Sequence, residues 1–509
     1  MENRHEENKR IARNTVFLYV RMFVTLLVTL YTSRVVLEVL GVEDFGIYSL
    51  VAGVVVLFSF LNAAITNALQ RYITMALGKR DKQMEARVFS TSFIAMALLS
   101  LVLFILCETV GLWFLNNKLD IPEGRMEIAN IVYQISIFIM IADIFRAPYN
   151  ALIIAYERMN FYAVISIIEA VLKLVIVFML YLVAINKLLL YALLLLAVGL
   201  VILLFYALFC RKTIPVKASK AMCDRHTLKE LTSFSGWNLL GGVADIGYQQ
   251  GTNMILNIFY GVTLNATMGV TIQVKNAIYN FARNLLTAAN PQIIKSYARG
   301  DTAYMQTLVT QISKYAFFLL YLTSYPLILN MDFVLHVWLK NPPEYSVQFC
   351  NLMLAFCMID SFVGPLWTLA MAHGKIRNYQ IVSSLILLLN LPLSWIALRY
   401  GAAPQAILVV QICVSVPNLI YRIAYLRNRN ILRVGAYIKG IAGPILLVGI
   451  ATAPILLLLS LQFTDWTRLI VTIAASFCLI PIAVLYLGMR SSERRMIIDK
   501  VKHKLHPAK

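Results

Sequence analysis

The sequence predicts an all-α, polytopic membrane protein. Of its 509 residues, 60% are hydrophobic and only 14% are charged, and the mean hydropathy is +0.74. Apolar runs of roughly twenty residues, each long enough to cross a bilayer as an α-helix, fill most of the chain. We therefore expect about fourteen transmembrane helices, arranged as two pseudo-symmetric six-helix lobes around a central cavity with two extra C-terminal helices.

The predicted elements follow from where the apolar runs begin and end. Spans are expected at about residues 14–40, 46–70, 88–114, 127–151, 160–185, 188–210, 232–258, 264–293, 313–337, 346–371, 379–398, 404–426, 437–461 and 468–489. These divide the chain into an N-terminal tail (1–13), an N-terminal lobe (14–210), a linker (211–231), a C-terminal lobe (232–426), a peripheral hairpin (437–489) and a basic tail (490–509). The tail at 1–13 lacks the apolar stretch and cleavage site of a removable signal peptide.

The formal net charge of +20 at pH 7 is unevenly distributed. Lys and Arg cluster in the tails and in alternate connections, such as 71–87 and 211–229, as the positive-inside rule describes for cytoplasmic segments. Both termini are therefore predicted to be cytoplasmic, and the charge does not indicate nucleic acid binding. The connections on the opposite side are short, which leaves no room for a folded domain there.

A sparse internal repeat relates the two predicted lobes. Asp143 and Tyr162 recur as Asp360 and Tyr379, 217 positions later in each case. Because six spans separate the halves, both enter the membrane from the same side, and the symmetry axis lies along the membrane normal. Two such lobes predict a cleft between them. A rocking motion of the lobes would expose this cleft to each side of the membrane in turn.

Residues 266–294 form a predicted span with one polar face. Polar side chains recur on this face every three or four positions. They are Gln273, Asn276, Asn280, Arg283, Thr287 and Asn290, with Lys275 at the edge. Such groups face hydrocarbon at high cost, so the face must line protein or a water-filled cavity. Spans one, two and seven carry similar seams, which contain Thr25, Asn62, Thr66, Asn238 and Gln249. We expect these four spans to line the cavity, although interhelical hydrogen bonding is the alternative for any single Thr or Asn.

Five cations are candidates for a substrate-binding site within the cavity: Arg21, Arg34, Lys173, Lys275 and Arg283. A charge at the bilayer centre costs roughly 2.5 kcal/mol or more on insertion scales. Lys173 lies four residues after Glu169, and Arg34 lies four before Glu38, so these two could be neutralised structural pairs. The other three have no carboxylate one turn away on their own helix, although Asp245 or Asp360 could pair with them across helices. Unpaired cations predict an anionic ligand, whose phosphate oxygens Arg can bind bidentately.

Four carboxylates within the spans are candidates for ion coupling: Asp143, Glu169, Asp245 and Asp360. Their affinity for H⁺ or Na⁺ could differ between cavity states, although Asp143 with Arg146 could equally be a cytoplasmic latch. No other cofactor is expected. The six histidines and seven cysteines show no metal-ligand spacing, and no phosphate loop or nucleophile elbow is present, so neither a metal site nor an enzyme is predicted.

Four short stretches resemble a known family: residues 40–50 (LGVEDFGIYSL), 70–72 (QRY), 290–292 (NPQ) and 297–301 (YARGD). Over about residues 10–430 the chain is similar to Wzx-type O-antigen and capsule flippases of the multidrug/oligosaccharidyl-lipid/polysaccharide (MOP) superfamily. The resemblance implies a V-shaped pair of six-helix lobes with a cationic cavity for a diphosphate. Many members have twelve spans, and the extra pair here is more like the lipid II flippases, where it forms a groove for the lipid tail.

The expected function is therefore that of a flippase in lipopolysaccharide or capsule biosynthesis. It would carry an undecaprenyl-diphosphate-linked oligosaccharide from the cytoplasmic to the outer leaflet of a bacterial inner membrane, amid membrane lipids and other polysaccharide-assembly proteins. A multidrug or cation antiporter of the same superfamily is the alternative function, because cations and carboxylates in the spans are nearly equal in number. A polymerase or ligase for lipid-linked sugars is disfavoured, because such enzymes commonly need a large outer loop.

Overall fold

The computed structural model confirms an all-α membrane protein. It describes residues 2–56, 60–118, 124–181, 186–216, 222–260, 262–339, 342–489 and 493–494, and within these ranges every regular element is helical. The chain divides into two compact units. Unit 1 takes in residues 1–242 and 288–300, and unit 2 takes in residues 243–287 and 301–509.

Unit 1 is built mainly from the first seven helices. These are α1 (Glu2–Val56), α2 (Phe60–Lys79), α3 (Lys82–Leu106), α4 (Leu112–Lys118), α5 (Met126–Ala155), α6 (Met159–Tyr181) and α7 (Lys187–Thr213). A π-helical turn at Cys107–Gly111 joins α3 to α4 without a break. Two long helices then run from one unit into the other along the chain: α8 (Arg225–Tyr260) and α9 (Val262–Ala298).

Unit 2 contains the remaining helices. They are α10 (Thr302–Leu339), α11 (Ser346–Asp360), α12 (Val363–His373), α13 (Arg377–Leu388), α14 (Asn390–Arg399), α15 (Ala406–Asn428), α16 (Val434–Gln462) and α17 (Asp465–Ala483). Predicted spans ten and eleven are each interrupted once, between α11 and α12 and between α13 and α14. The predicted C-terminal tail (490–509) lies outside the described residues except for Glu493 and Arg494.

Within the described part of the chain, ten helical segments have the length and hydropathy of a membrane span, and they coincide with predicted spans three to six and nine to fourteen. The other four predicted spans lie in α1, α2, α8 and α9. These are the helices with the polar seams, and their amides and charges lower the hydropathy that an apolar span would show. The same residues that predict a cavity therefore make these four helices the least apolar of the set.

Helix α1 differs from the prediction. A connection was expected at residues 41–45, yet the helix runs unbroken from Glu2 to Val56. This stretch contains no proline, so each residue keeps the backbone N–H group that a helix requires. A straight helix of 55 residues would measure about 80 Å at 1.5 Å per residue, far more than the hydrocarbon core of about 30 Å.

Contacts within unit 1 show how residues 10–78 are placed. Arg10 lies 3.7 Å from Glu157, which follows α5, whereas Asp44 lies 3.5 Å from Arg125, which precedes α5. Gly78 in α2 lies again at the Glu157 end of α5, because a Cβ atom built on it would lie 2.9 Å from the carbonyl oxygen of Lys295. The Lys295 side chain is in turn hydrogen-bonded to Glu157. Residues 10–56 therefore extend from the C-terminal end of α5 to its N-terminal end, and α2 ends near the C-terminal end again, as expected of two membrane spans.

The helix ends are set by local sequence. The Asp81 carboxylate accepts a hydrogen bond of 2.9 Å from the Met84 backbone N–H and so begins α3, and Asn186 caps α7 in the same way through Leu189. Each cap satisfies a donor that has no partner inside the helix. Helix α12 ends at Gly374, whose φ of +89° is a conformation that glycine adopts without steric cost.

Helices α16 and α17 pack against α10 within unit 2. Phe318 and Tyr321 of α10 share a buried cluster with Val448, Leu456 and Ile480. Hydroxyl groups strengthen the contact, since the Tyr325 hydroxyl donates to the Ala453 carbonyl at 3.0 Å. Both helices also carry exposed aliphatic side chains, such as Ile450 of α16 and Ile470 of α17, as expected for surfaces that face lipid.

Candidate functional site

Arg21 of α1 is the predicted cavity cation of unit 1. Its guanidinium carbon lies 4.7 Å from the ring centroid of Tyr162 in α6, a cation–π contact. Its Nε is enclosed and has no hydrogen-bond partner, and no carboxylate of the described residues lies within ion-pair distance. Thr25, one turn later, bonds to the carbonyl oxygen of Arg21 at 2.7 Å. Arg21 is therefore positioned by an aromatic ring rather than neutralised by an acid.

Four charged side chains of α5 and α6 form one cluster in unit 1. Arg146 lies 3.0 Å from both Asp143 and Glu169, and Lys173 donates to Glu169 at 2.7 Å. Two cations thus face two carboxylates. This pairing favours the structural reading of Lys173 and Glu169 over a role in binding substrate, and it matches the latch considered for Asp143.

Two predicted site residues of the first two spans lie outside the described side chains: the candidate cation Arg34 and the seam residue Asn62. Thr66 of α2 is half-buried. Asn238 of α8 is buried, at 8% exposure. Interhelical hydrogen bonding, the alternative considered for single Thr and Asn residues, suits a buried amide such as that of Asn238.

The polar seam of α9 lies on an exposed face of the helix. Gln273, Asn276, Asn280 and Arg283 are all exposed, whereas Met268, Ile278 and Ala282 on the opposite side are buried in the apolar core of unit 2. Arg283 forms no ion pair or side-chain hydrogen bond within the described part of the chain. Lys275 is half-buried, and its Nζ lies 5.7 Å from the ring centroid of Phe356.

Two carboxylates of unit 2 are held by neutral donors. The Tyr279 hydroxyl donates to Asp360 at 2.7 Å, and the Gln249 amide donates to Asp245 at 2.8 Å. Lys275 and Asp360 are both close enough to Asp245 to interact with it electrostatically. Lys275, Asp245 and Asp360 are thus grouped in unit 2, but no direct ion pair joins any two of these described residues.

Two charged side chains within the helices, Lys314 and Arg422, were missed by the sequence reasoning. Arg422 is buried and donates to Tyr379 and Ser383 at 2.6 Å each. The Lys314 ammonium bonds to the Gly488 carbonyl at 2.8 Å and to Glu493 at 3.2 Å. These cations already have polar partners, which only the fold brings near.

A buried network joins the end of α9 to the α5–α6 connection inside unit 1. The Glu157 side chain is completely buried and accepts hydrogen bonds from Lys295 at 2.6 Å and from the Gln292 amide at 2.8 Å. Burial lowers the pKa of Lys295, and the Glu157 carboxylate opposes that shift. Glu157 itself has a φ of +58°. This left-handed backbone conformation is unfavourable for any residue that has a Cβ atom.

Comparison with known proteins decides the family. The family described as polysaccharide biosynthesis protein matches residues 11–300, more than half of the chain. The chain belongs to this family. One relative of this polysaccharide biosynthesis protein is the uncharacterized membrane protein EpsK of Bacillus subtilis, 20% identical over 483 residues, which cover 93% of this chain and 94% of EpsK.

Solved structures share the fold of this polysaccharide biosynthesis protein. An outward-facing multidrug resistance MATE family transporter of the MOP superfamily superposes with a TM-score of 0.71 at 15% identity, covering 85% of this chain and 97% of its own. A MOP superfamily transporter from Pyrococcus furiosus gives the same TM-score and identity, with 85% and 96% covered. The likeness confirms a MATE-like fold for this chain, and the two structural neighbours are described as transporters.

The stretches that carry the family resemblance have structural contacts in this polysaccharide biosynthesis protein. Gln292 and Lys295 of the buried network lie in or beside the NPQ and YARGD stretches. Arg71 of the QRY stretch is buried, with its guanidinium 4.7 Å from the ring centroid of Phe234. These contacts fix the ends of α2 and α9 within unit 1.

Proposed function

We propose that this protein is a flippase for an undecaprenyl-diphosphate-linked oligosaccharide, a unit of O-antigen, capsule or a related polysaccharide. It carries the headgroup from the cytoplasmic to the outer leaflet of a bacterial inner membrane by alternating access, with both termini in the cytoplasm. The observation that carries the proposal is that Arg21, Lys275 and Arg283 have no ion pair among the described residues. Membership of a polysaccharide biosynthesis family supports the substrate class.

The chemistry required of such a protein is modest. A diphosphate with attached sugars crosses hydrocarbon slowly because its charges and hydroxyl groups lose their hydration. Cations and amides on the cavity helices replace part of that hydration, and the prenyl tail stays in the lipid. Arg21 and Arg283 suit this task because a guanidinium binds two phosphate oxygens at once. Lys173 contributes less, since Glu169 already neutralises it, and Arg34 remains a candidate.

Ion coupling forms part of the proposal. Asp360 and Asp245 are held by neutral donors rather than by cations, so proton or sodium binding would not have to displace a salt bridge. Asp143 and Glu169 are weaker candidates because Arg146 bonds to both. An ion bound in one conformation and released in the other would drive the cycle.

The direct test is transport in proteoliposomes. A fluorescent undecaprenyl-diphosphate oligosaccharide is placed in both leaflets, and the fraction accessible to an external enzyme is followed with time. Replacing Arg21, Lys275 or Arg283 by alanine is expected to slow transport about tenfold or more, since each loses a charge-assisted hydrogen bond. Lys439→Ala on the exposed surface of α16 is the matched control and should leave the rate unchanged. Parental rates in all three variants would reject the cations as diphosphate ligands.

A cation antiporter is the second candidate, favoured by the carboxylates of unit 2. The description of the Pyrococcus furiosus structure links a reversed polarity of the binding pocket to a different function in that protein, so pocket polarity separates the two candidates here as well. Uptake of a lipophilic fluorescent cation by the same proteoliposomes, lost in Asp245→Asn and retained in Arg283→Ala, would favour the antiporter.

A further inference from the structure

A polar cavity of about 600 Å³ lies in unit 1, between the start of α1 and the α5–α6 connection. Its volume falls in the range of small-molecule sites. The residues that matter for its chemistry are Arg10, Arg13, Asn14, Glu157, Arg158 and Asn160. Asn14 begins the predicted polar seam of the first span, but the other five belong to no seam, and the three arginines are not among the predicted cavity cations.

The cavity has an excess of positive charge. Three arginines line it against one carboxylate, and that carboxylate, Glu157, is already bonded to Lys295 at 2.6 Å, while Arg10 stays 3.7 Å away. Arg13 and Arg158 are exposed, and neither guanidinium bonds to a side chain within the described part of the chain. Arginines that meet at one cavity without acids of their own form an anion-binding arrangement.

Asn14 supplies the second, independent observation. It lines the cavity and is only 2% exposed, and its Nδ2 has no hydrogen-bond partner among the described residues. A buried donor without an acceptor costs free energy, and native proteins rarely leave one so. An oxygen atom of a ligand in this cavity would remove that cost.

We propose that this cavity binds the diphosphate group of the lipid-linked sugar before the headgroup reaches the transmembrane cations. The three arginines, together with the Lys295 that already pairs with Glu157, outnumber that one carboxylate, and the negatively charged oxygens of a diphosphate suit guanidinium and amide donors. Arg10 and Arg13 precede the first span, and Arg158 lies between the fourth and fifth, so the site is at the membrane surface. The assignment of the diphosphate to a lipid-linked sugar rests on the proposed flippase function.

The test measures diphosphate binding directly. The full-length protein, in nanodiscs of neutral phosphatidylcholine, is titrated with inorganic pyrophosphate by calorimetry. Arg13→Gln and Arg158→Gln are each expected to weaken binding about tenfold, as the loss of one charge-assisted hydrogen bond predicts. Asn14→Leu should also weaken it, and Arg87→Gln, an exposed arginine of α3, is the matched control. Parental affinity in both arginine variants would overturn the proposal.

Competition identifies the source of the diphosphate. Undecaprenyl diphosphate is expected to displace pyrophosphate far better than undecaprenyl monophosphate does. If nanodiscs containing phosphatidylglycerol abolish pyrophosphate binding while undecaprenyl diphosphate does not compete, the ligand is an anionic membrane lipid and the assignment to the transported substrate is overturned.

The transport assay separates this inference from the proposed function. Parental transport rates in an Arg13→Gln, Arg158→Gln double variant would reject the loading site and leave the flippase intact. Pyrophosphate binding that depends on Arg13 and Arg158, in a protein that moves no lipid-linked oligosaccharide, would reject the flippase and leave the site.

Discussion

Replacing Glu157 by glutamine isolates the buried network at the end of α9. The two side chains have nearly the same shape, and both must adopt the φ of +58°, so backbone strain does not change. What changes is the charge. Lys295, whose side chain is only 11% exposed, loses the carboxylate 2.6 Å from its ammonium and keeps no direct ion pair among the described residues.

The size of the effect follows from that burial. Removing one partner of a buried ion pair typically costs about 3–5 kcal/mol. The glutamine oxygen still accepts a hydrogen bond, so we expect the lower end, about 3 kcal/mol. If residues 288–298 open as one unit, their amide hydrogens should exchange about 100-fold faster in the variant, because 1.4 kcal/mol corresponds to a factor of ten. Hydrogen–deuterium exchange with mass spectrometry measures this directly.

Two further variants test the reasoning. Glu157→Gln combined with Lys295→Met removes both charges and should recover much of the protection, since a neutral pair of similar volume leaves no buried charge. Glu230→Gln removes the exposed contact with His226 at 3.9 Å, leaves the ion pair of Glu157 with Lys295 intact, and should change exchange little. Unchanged exchange at 288–298 in Glu157→Gln would refute the network's role, as would a double variant less protected than either single one.

The same variant has a predictable pH dependence. Burial already lowers the pKa of Lys295, and the carboxylate that opposes this shift is lost in Glu157→Gln, so the pKa falls further. The unfolded state then binds more protons than the folded state, and stability rises with pH. The stability deficit of the variant should therefore shrink as the pH is raised from neutral toward the ordinary pKa of lysine, measured by thermal unfolding at each pH.

Three other substitutions give distinct outcomes. Gly78→Ala should destabilise the protein by about 1–3 kcal/mol and lower its apparent melting temperature, because the new Cβ would lie 2.7 Å and 2.9 Å from a Cβ and a backbone oxygen of α9. Lys314→Met should weaken the attachment of Glu493, whose carboxylate lies 3.2 Å from the Lys314 ammonium and keeps bonds from Gln311 and Tyr315, and so speed limited proteolysis at the C-terminal end. Asp360→Asn should keep its hydrogen bond from Tyr279 but abolish the dependence of transport on a proton or sodium gradient, measured in proteoliposomes with and without the gradient.

Matched controls accompany these three. Gly242→Ala places its Cβ in open space and should be neutral or stabilising by up to about 1 kcal/mol. Lys439→Met and Asp332→Asn replace exposed charges and should leave proteolysis and gradient dependence at parental levels. A Gly78→Ala variant as stable as Gly242→Ala, an intact C-terminal end in Lys314→Met, or a persistent gradient effect in Asp360→Asn would each contradict the corresponding argument.

The sequence predicted the membrane helices well because a bilayer imposes a simple rule on them. An apolar run of fixed length is visible without any tertiary information, and the ten most apolar helices agree with their predicted spans. The polar face of α9 was equally visible, since period 3.6 places Gln273, Asn276 and Asn280 together. The continuous helix across residues 41–45 was missed because glycine and acidic residues indicate a turn locally but do not require one.

For the charged residues of the candidate site, too, some features could be predicted from the sequence and others could not. That Arg21, Lys275 and Arg283 lack a carboxylate one turn away on their own helix could be read from spacing alone, as could the pairing of Lys173 with Glu169 one turn apart. Spacing cannot show which residues from distant helices meet, because interhelical contacts depend on how helices pack. The hydrogen bonds of Lys295 to Glu157 and of Arg422 to Tyr379, and the position of Arg158 beside the same cavity as Arg10 and Arg13, therefore emerged only from the tertiary structure.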